Sequence, residues 1–115
     1  MLKRIAEVTY FVPDLDAAWA FLRDVANARL HFKALGLIQV EVGESLVSLH
    51  PADEKGSAGP GGQVAYWQVD NLNDAIQAFQ DRGGHLYRGP IKGVDGPQVA
   101  QVQDPWGNLW GLLQS

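Results

Sequence analysis

Cysteine is absent from this chain of 115 residues. A disulfide framework, a thiolate nucleophile and a cysteine-based zinc site are therefore all excluded. Long apolar runs are missing as well, since none approaches the roughly 18 residues that cross a bilayer. The sequence moves directly from Met1 into a strand-like segment, so we expect no leader peptide. We therefore expect a cytoplasmic protein with no membrane partner.

Positive charge is sparse and dispersed. Nine Lys and Arg stand against thirteen Asp and Glu, which gives a formal net charge of −4. The basic residues are scattered along the chain rather than grouped. A nucleic-acid backbone requires a basic patch or stripe on its protein partner. We therefore expect no nucleic-acid partner.

Apolar residues are plentiful and follow an internal repeat. They make up 46% of the chain and include four Trp, which is enough for a packed core. Residues 10–18 align with residues 67–75 at a constant offset of 57, so that Val12 matches Val69. The same offset matches Asp14 with Asn71, and both residue types are good helix N-caps. Each copy predicts a strand, a capped turn and an amphipathic helix.

The apolar spacing defines the two helices and the strands that follow them. The second helix is expected to end at Gly83 and Gly84, which suit a left-handed C-cap. Extended segments are predicted over 29–33, 36–42 and 45–50, and again over 85–88, 98–103 and 109–114. The β-α-β-β-β order thus occurs twice in an α+β fold, with module one at about 4–50, a polar connection at about 51–62 and module two at about 63–115. The predicted buried stripes are Ala18, Phe21, Leu22 and Val25 in the first helix, and Leu72, Ala75, Ile76 and Phe79 in the second.

The closing turn, Asp104-Pro105-Trp106-Gly107-Asn108, has the composition of a type I turn, with Asp, Pro and Gly at their preferred positions. A βαβββ repeat whose second copy ends in this turn resembles the vicinal oxygen chelate superfamily, which includes glyoxalase I, the bleomycin-resistance proteins and the extradiol dioxygenases. The resemblance covers nearly the whole chain, from residue 5 to residue 114. It implies a single domain whose modules form a cupped mixed β-sheet around a cavity, with the helices on the outer face. It also implies a homodimer and a small organic ligand in the cavity.

The resemblance implies where a metal would be held. Metal-dependent members carry a ligand on the first strand of each module, and those positions are Glu7 and Val64 here. A further glutamate usually follows the closing turn, where this chain has Gly111, and its counterpart in the first module falls near Val47 or Ser48. Only Glu7 offers a side chain suited to a divalent cation, whereas such sites need three or four ligands. We therefore expect neither a metal nor another cofactor.

Several residues are candidates for the ligand site. Glu7 is interpreted as a ligand-binding carboxylate or a general base, and the alternative is a carboxylate that is paired with an arginine or solvated. The period of two along a strand places Tyr66 and Gln68 on the cavity face, although Tyr66 equally suits the filling of a small core. His50 is either an acid–base group or a surface residue. The predicted ligand-binding residues are Glu7, Phe11, His50, Val64, Tyr66, Gln68, Trp106, Leu109 and Gly111, with Leu113 as a further apolar wall.

The remaining aromatic and histidine residues have structural interpretations. Trp110 is predicted to lie in the core, because it alternates with position 111 on the cavity face. Trp106 suits either the cavity mouth or a dimer contact, and Trp19 suits an interface patch. His31 and His85 are expected to face solvent.

Three functions stay open at this point. The first is a metal-free member that binds and sequesters a small molecule, as the bleomycin-resistance proteins do. The alternative is a lyase, a transferase or a dioxygenase-type enzyme with an atypical metal site, or a metal-free isomerase with Glu7 as its general base. The third is a structural or regulatory module whose cavity is filled by Tyr66 and its neighbours.

Overall fold

The computed structural model describes residues 1–92 and 96–115, and it confirms an α+β fold with two βαβββ modules. The chain divides into two compact units, Met1–Ala58 and Gly59–Ser115. No helix in the described residues is long and apolar enough to cross a membrane. The elements of the first unit are β1 (Val8–Val12), α1 (Leu15–Ala26), β2 (Arg29–Ala34), β3 (Leu37–Val42) and β4 (Ser45–Pro51). Those of the second unit are β5 (Tyr66–Gln68), α2 (Leu72–Asp81), β6 (His85–Lys92), β7 (Gln98–Gln103) and β8 (Leu109–Gln114).

The first unit contains a four-stranded sheet in the order β1-β4-β3-β2. Strand β1 is parallel to β4, and the other pairs are antiparallel. Since side chains alternate along each strand, one face packs against α1 and the other does not. The face under α1 carries the buried residues Ile38, Val40, Val47 and Leu49. We call the opposite face, which includes Thr9, Gln39, Ser48 and His50, the first open face.

The second unit repeats this arrangement in the order β5-β8-β7-β6, with β5 parallel to β8. Trp110 is 3% exposed, and its ring lies 6.0 Å from that of Phe79 on α2, which confirms its predicted place in the core. The ring of Trp67 lies 5.8 Å from the Trp110 ring. The opposite face is the second open face, and its register partners include Tyr66, Gln68, Gln101, Gly111 and Leu113.

Side-chain and backbone hydrogen bonds confirm the predicted helix ends. Asp14 Oδ1 accepts a hydrogen bond from the backbone N–H of Ala17 at 3.1 Å, and Asn71 Oδ1 accepts one from Asp74 at 2.9 Å. Helix α2 ends at Asp81 with Arg82 as its C-cap, and Gly83, which follows, has a left-handed φ of 93°. The N–H of Gly84 donates to the carbonyl of Phe79 at 2.8 Å. These bonds satisfy donors and acceptors that a helix end otherwise leaves unpaired.

The observed elements differ from the sequence expectations at several boundaries. Strand β1 begins at Val8 and β5 at Tyr66, so Glu7 and Val64 precede the strands in which they were predicted. Strand β6 continues beyond residue 88 to Lys92, through Pro90. Because β6 is at the edge of its sheet, the missing N–H of a proline costs no ladder bond on the open side. Val25 and Ala75 are only half-buried in the predicted stripes.

Candidate functional site

The carboxylate of Glu7 is anchored to the first open face through one of its oxygens. Its Oε2 accepts hydrogen bonds from Ser48 Oγ at 2.8 Å and from Gln39 Nε2 at 3.1 Å. The Gln39 amide also donates to Ser48 Oγ at 3.0 Å. Ser48 is 2% exposed, whereas Glu7 is exposed. These three residues, which we call the Glu7 cluster, therefore hold a solvent-accessible carboxylate in a defined position.

The charge of Glu7 is not compensated within the described residues, where no basic side chain forms an ion pair with it. Glu41, on β3, provides a contrast, because its Oε2 lies 2.7 Å from Arg29 Nη2. The interpretation of Glu7 as a carboxylate paired with an arginine is therefore not what this structure shows. Glu7 is free to accept a donor from a ligand.

Phe11 and His50 are register partners beside the Glu7 cluster. Their rings meet edge to face, with centroids 5.5 Å apart. The Nδ1 atom of His50 lies 2.7 Å from the carbonyl oxygen of Pro51. Because a carbonyl only accepts, this bond places a proton on Nδ1 and makes Nε2 an acceptor in the neutral ring. The two rings supply apolar contact area and one further polar atom on this face.

The loop that follows β4 lies over the ring of Phe11. A Cβ atom on Gly56 would lie 2.5 Å from that ring, so only glycine fits without a shift. The Asp53 carboxylate shapes the loop by accepting the backbone N–H groups of Lys55 at 2.9 Å and Gly56 at 2.8 Å. These hydrogen bonds from Gly56 and Lys55 lower the pKa of Asp53. Phe11 is thus half-buried under its own unit's loop, and only part of its ring is available as a pocket wall.

Tyr66 lies across the second open face. Its Cγ and Cδ1 atoms lie 2.7 Å from the position that a Cβ atom of Gly111 would occupy. Its hydroxyl oxygen accepts a hydrogen bond from Gln101 Nε2 at 2.9 Å. Tyr66 is 46% exposed, so within its unit it does not fill a core as one interpretation expected. The Tyr66 ring therefore packs on Gly111 and is positioned by the hydrogen bond from Gln101.

The other predicted ligand-binding residues of the second unit are half-buried or exposed. Gln68 is exposed and pairs with Leu113, which is half-buried. Leu109 and Val64 are half-buried as well. Trp106 is half-buried in the closing turn. Outside this group, His31 and His85 are exposed, in line with their prediction.

The donor set does not fit a metal site of the type that the resemblance implies. Glu7 and Ser48 are hydrogen-bonded to each other. Val64 has no donor atom, and the Tyr66 ring occupies the space into which a side chain at Gly111 would extend. In the described part of the chain, no group of three or more His, Asp or Glu could hold a metal ion. Divalent metal sites in proteins need more ligands than one carboxylate.

Sequence reasoning missed Gln39 and Gln101, although a signal for both is visible. Gln39 pairs with Ser48 in the first sheet, and Gln101 pairs with Gly111 at the equivalent register of the second. Each glutamine lies between two buried apolar residues of a middle strand. A neutral amide in such a strand points to the face away from the helix. This pattern would have identified both residues as hydrogen-bonding groups of the open faces.

The closing turn is built around Asp104, which is 2% exposed. Its Oδ1 accepts the backbone N–H groups of Trp106 and Asn108, each at 3.0 Å. Its Oδ2 accepts the indole N–H of Trp110 at 3.0 Å. Asn108 Oδ1 in turn accepts the N–H of Gly59 at 3.0 Å. These hydrogen bonds therefore fix the turn between β7 and β8 and connect it to the core.

Burial raises the pKa of Asp104 above its ordinary value, although the hydrogen bonds from Trp110, Asn108 and Trp106 oppose this effect. The folded protein thus binds this proton more tightly than the unfolded chain does. The contribution of Asp104 to stability is then greatest when the carboxyl is protonated and falls as the pH rises from the unfolded-state pKa through the folded-state pKa.

We expect this titration to appear when wild type is compared with Asp104→Asn, which cannot titrate at that position. Urea denaturation from about pH 4 to about pH 7 measures the free energy of unfolding of each protein. The wild-type advantage should be larger at the acidic end, because only the wild type gains from protonation there. An advantage that is independent of pH would contradict the raised pKa.

Comparisons with known proteins agree with this fold. A model of the glyoxalase/bleomycin resistance protein/dioxygenase superfamily matches residues 4–112. A glyoxalase-related enzyme from Fulvimarina pelagi is 19% identical with a TM-score of 0.80, over 99% of this chain and 89% of that one. A glyoxalase/bleomycin resistance protein/dioxygenase family enzyme from Burkholderia phytofirmans is 15% identical with a TM-score of 0.82, over 95% and 96% of the two chains.

A third similar structure is the fosfomycin resistance protein FosX from Listeria monocytogenes, in complex with Mn(II) and sulfate. It is 14% identical with a TM-score of 0.83, over 100% of this chain and 92% of that one. At such low identity these structures establish the fold alone. No curated protein sequence matches the chain.

Proposed function

This chain belongs to the glyoxalase/bleomycin resistance protein/dioxygenase superfamily, and we propose that it is a metal-free member that binds and sequesters a small organic molecule. The Glu7 cluster carries this proposal, because it presents a positioned carboxylate and no partner cation among the described residues. We also propose, from the resemblance, that the protein acts as a homodimer in the cytoplasm. Light scattering of the purified chain tests the dimer, and a monomeric mass would contradict it.

The ligand group that suits this site is a protonated amine or another strong donor. One oxygen of Glu7 already accepts two neutral donors, and no hydrogen bond to its Oε1 occurs in the described residues. A charge-assisted hydrogen bond to a carboxylate is roughly twice as strong as a neutral one. The Phe11–His50 pair supplies apolar area close to the carboxylate, and few polar groups among apolar ones are typical of small-molecule sites.

We expect a cationic aromatic probe to bind and a neutral one to bind more weakly. The chain is screened by thermal shift with aromatic, cationic and antibiotic compounds at millimolar concentration, including benzylamine and benzyl alcohol as a matched pair. A compound that binds only the folded state raises the melting temperature with increasing concentration. Glu7→Gln should weaken benzylamine binding by about tenfold, because a hydrogen bond to a charged group contributes about 1.5 kcal/mol or more.

The matched control is Glu41→Gln. This substitution removes the same charge from the same unit, but from a carboxylate that is already paired with Arg29. Benzylamine binding should persist in this variant. The proposal is overturned if no compound raises the melting temperature, or if Glu7→Gln binds benzylamine as the wild type does.

Two further measurements separate sequestration from the enzyme hypothesis. A sequestered compound is recovered chemically unchanged after incubation, which mass spectrometry shows directly. Elemental analysis of protein purified without chelator should find no stoichiometric metal. Turnover that depends on Glu7, or a bound metal that is lost in Glu7→Ala, would favour the enzyme instead.

A further inference from the structure

Four register partners form a continuous row across the second open face. Tyr66 on β5 pairs with Gly111 on β8, and Gly111 pairs with Gln101 on β7. Gln101 pairs with Arg88 on β6, where the register shifts on either side of Arg88. Because a bulge sets two residues of one strand opposite a single partner, the pairing of Arg88 with Gln101 is kept there. Paired residues project to the same side of a sheet, and neighbouring strands lie about 4.8 Å apart, so the row spans roughly 14 Å. This length is comparable to that of a fused aromatic ring system with a polar substituent.

One end of the row is a pre-positioned aromatic ring. The Tyr66 ring packs over Gly111, and the Nε2 atom of Gln101 donates to the Tyr66 hydroxyl oxygen at 2.9 Å. Because the hydroxyl oxygen accepts the Gln101 amide proton, its own proton is available to a ligand. Nearly half of the side-chain surface is exposed. A ring that is already held in place loses little conformational entropy when a ligand stacks on it.

The other end of the row is a cation. Arg88 is exposed, and no ion pair involves it in the part of the chain that the structure describes. A guanidinium group presents paired N–H donors that match a carboxylate in bidentate geometry. An aromatic surface and a carboxylate-binding group thus lie on one line of the sheet.

We propose that this row of Tyr66, Gly111, Gln101 and Arg88, which we call the Tyr66 row, binds a planar aromatic carboxylate. The ligand ring stacks on the exposed side of Tyr66, and the ligand carboxylate accepts hydrogen bonds from Arg88. The Tyr66 hydroxyl donates to the same carboxylate. Gly111 has no side chain, which leaves room for the ring of Tyr66. The site differs in residues and in ligand charge from the Glu7 cluster, so it goes beyond the function proposed above.

Calorimetric titration of the full-length chain with 2-naphthoate tests this proposal. We expect saturable binding of 2-naphthoate, with at least fivefold weaker binding of the saturated decahydro-2-naphthoate and of the uncharged 2-naphthalenemethanol. Tyr66→Leu should weaken 2-naphthoate binding about three- to tenfold, the range that corresponds to an aromatic pair. Arg88→Gln should weaken it about tenfold, as expected for the loss of a charge-assisted bond.

Two control variants test whether 2-naphthoate binding depends on the Tyr66 row itself. Lys92→Gln removes a positive charge from the same strand but outside the row, and should leave the affinity unchanged. Gln101→Leu keeps the ring and the charge but releases the hydroxyl, and should weaken binding about threefold. Stacking also shifts the ligand ring protons upfield in the NMR spectrum of the wild type, and this shift should disappear in Tyr66→Leu.

Three results would overturn the proposal: no binding of 2-naphthoate, equal binding of its saturated analogue, or an unchanged affinity in Tyr66→Leu. None of them affects the Glu7 cluster, whose probe is benzylamine and whose variant is Glu7→Gln. Conversely, a failure of benzylamine to bind leaves the 2-naphthoate measurement intact. The two proposals can therefore be tested independently of each other.

Discussion

Replacing Asp104 with alanine should lower the free energy of unfolding by about 3–5 kcal/mol at neutral pH, because three donors lose their partner in a buried site. Those donors are the backbone N–H groups of Trp106 and Asn108 and the indole N–H of Trp110. A buried donor that is left unsatisfied costs about 1–3 kcal/mol. A loss of this size is a large fraction of the stability of a small domain. Urea denaturation of the full chain measures it.

Asp104→Asn removes the acceptor of the Trp110 indole N–H with almost no change in side-chain shape. The asparagine oxygen can still accept the two backbone donors, but its amide nitrogen then faces the indole N–H of Trp110. We expect a loss of about 2 kcal/mol, since one buried donor is left without an acceptor. Asp53→Ala is the control, because Asp53 also accepts two backbone N–H groups but is exposed, so water replaces it. Equal losses at positions 53 and 104 would contradict the role assigned to burial.

Gly84→Ala is expected to cost about 2–3 kcal/mol, although the substitution adds only one methyl group. The new Cβ would lie 2.5 Å from the carbonyl oxygen of Gln103 and 3.0 Å from that of Phe79. Both are backbone atoms, on β7 and at the end of α2, so neither can rotate away. The methyl group must therefore separate the strand from the helix end or distort the capping bond between Gly84 and Phe79. The midpoint of urea denaturation should fall accordingly.

Gly61→Ala is the matched control for this substitution. A Cβ atom at Gly61 meets nothing within 4 Å, and no left-handed backbone conformation is required there. Alanine also restricts the unfolded chain, so the variant should be neutral or slightly more stable. If Gly84→Ala had the same free energy of unfolding as Gly61→Ala, the close approach of the α2 end to β7 at Gly84 would be contradicted.

Most of the fold could be predicted from local patterns. The offset that aligns Asp14 with Asn71 located both helix starts, because capping depends on a residue and the turn that follows it. The alternation around Trp110 placed it in the core, because side chains alternate strictly along a strand. The glycine pair after α2 predicted its end for an equally local reason.

The candidate sites could be predicted only in part. Glu7, Tyr66 and Gly111 were identified as candidates, and the structure places Tyr66 and Gly111 in direct contact. The partners Gln39 and Gln101 were missed, because each bond joins strands that are separated by many residues in the chain. Such contacts depend on strand register, which periodicity alone does not define across a sheet.

The sequence by itself determined that this is a twofold βαβββ protein with a closing turn, because both properties follow from residue identity and local spacing. The resemblance to the superfamily added the expectation of four metal positions, of which only Glu7 carries a suitable side chain. Only the tertiary structure decided what the residues of the closing turn and of the expected metal positions contact. It showed that Asp104 joins the turn to the core, that Ser48 and Gln39 hold Glu7, and that Tyr66 occupies the space above Gly111. Each of these depends on atoms brought together by the pairing of distant strands, which no local pattern encodes.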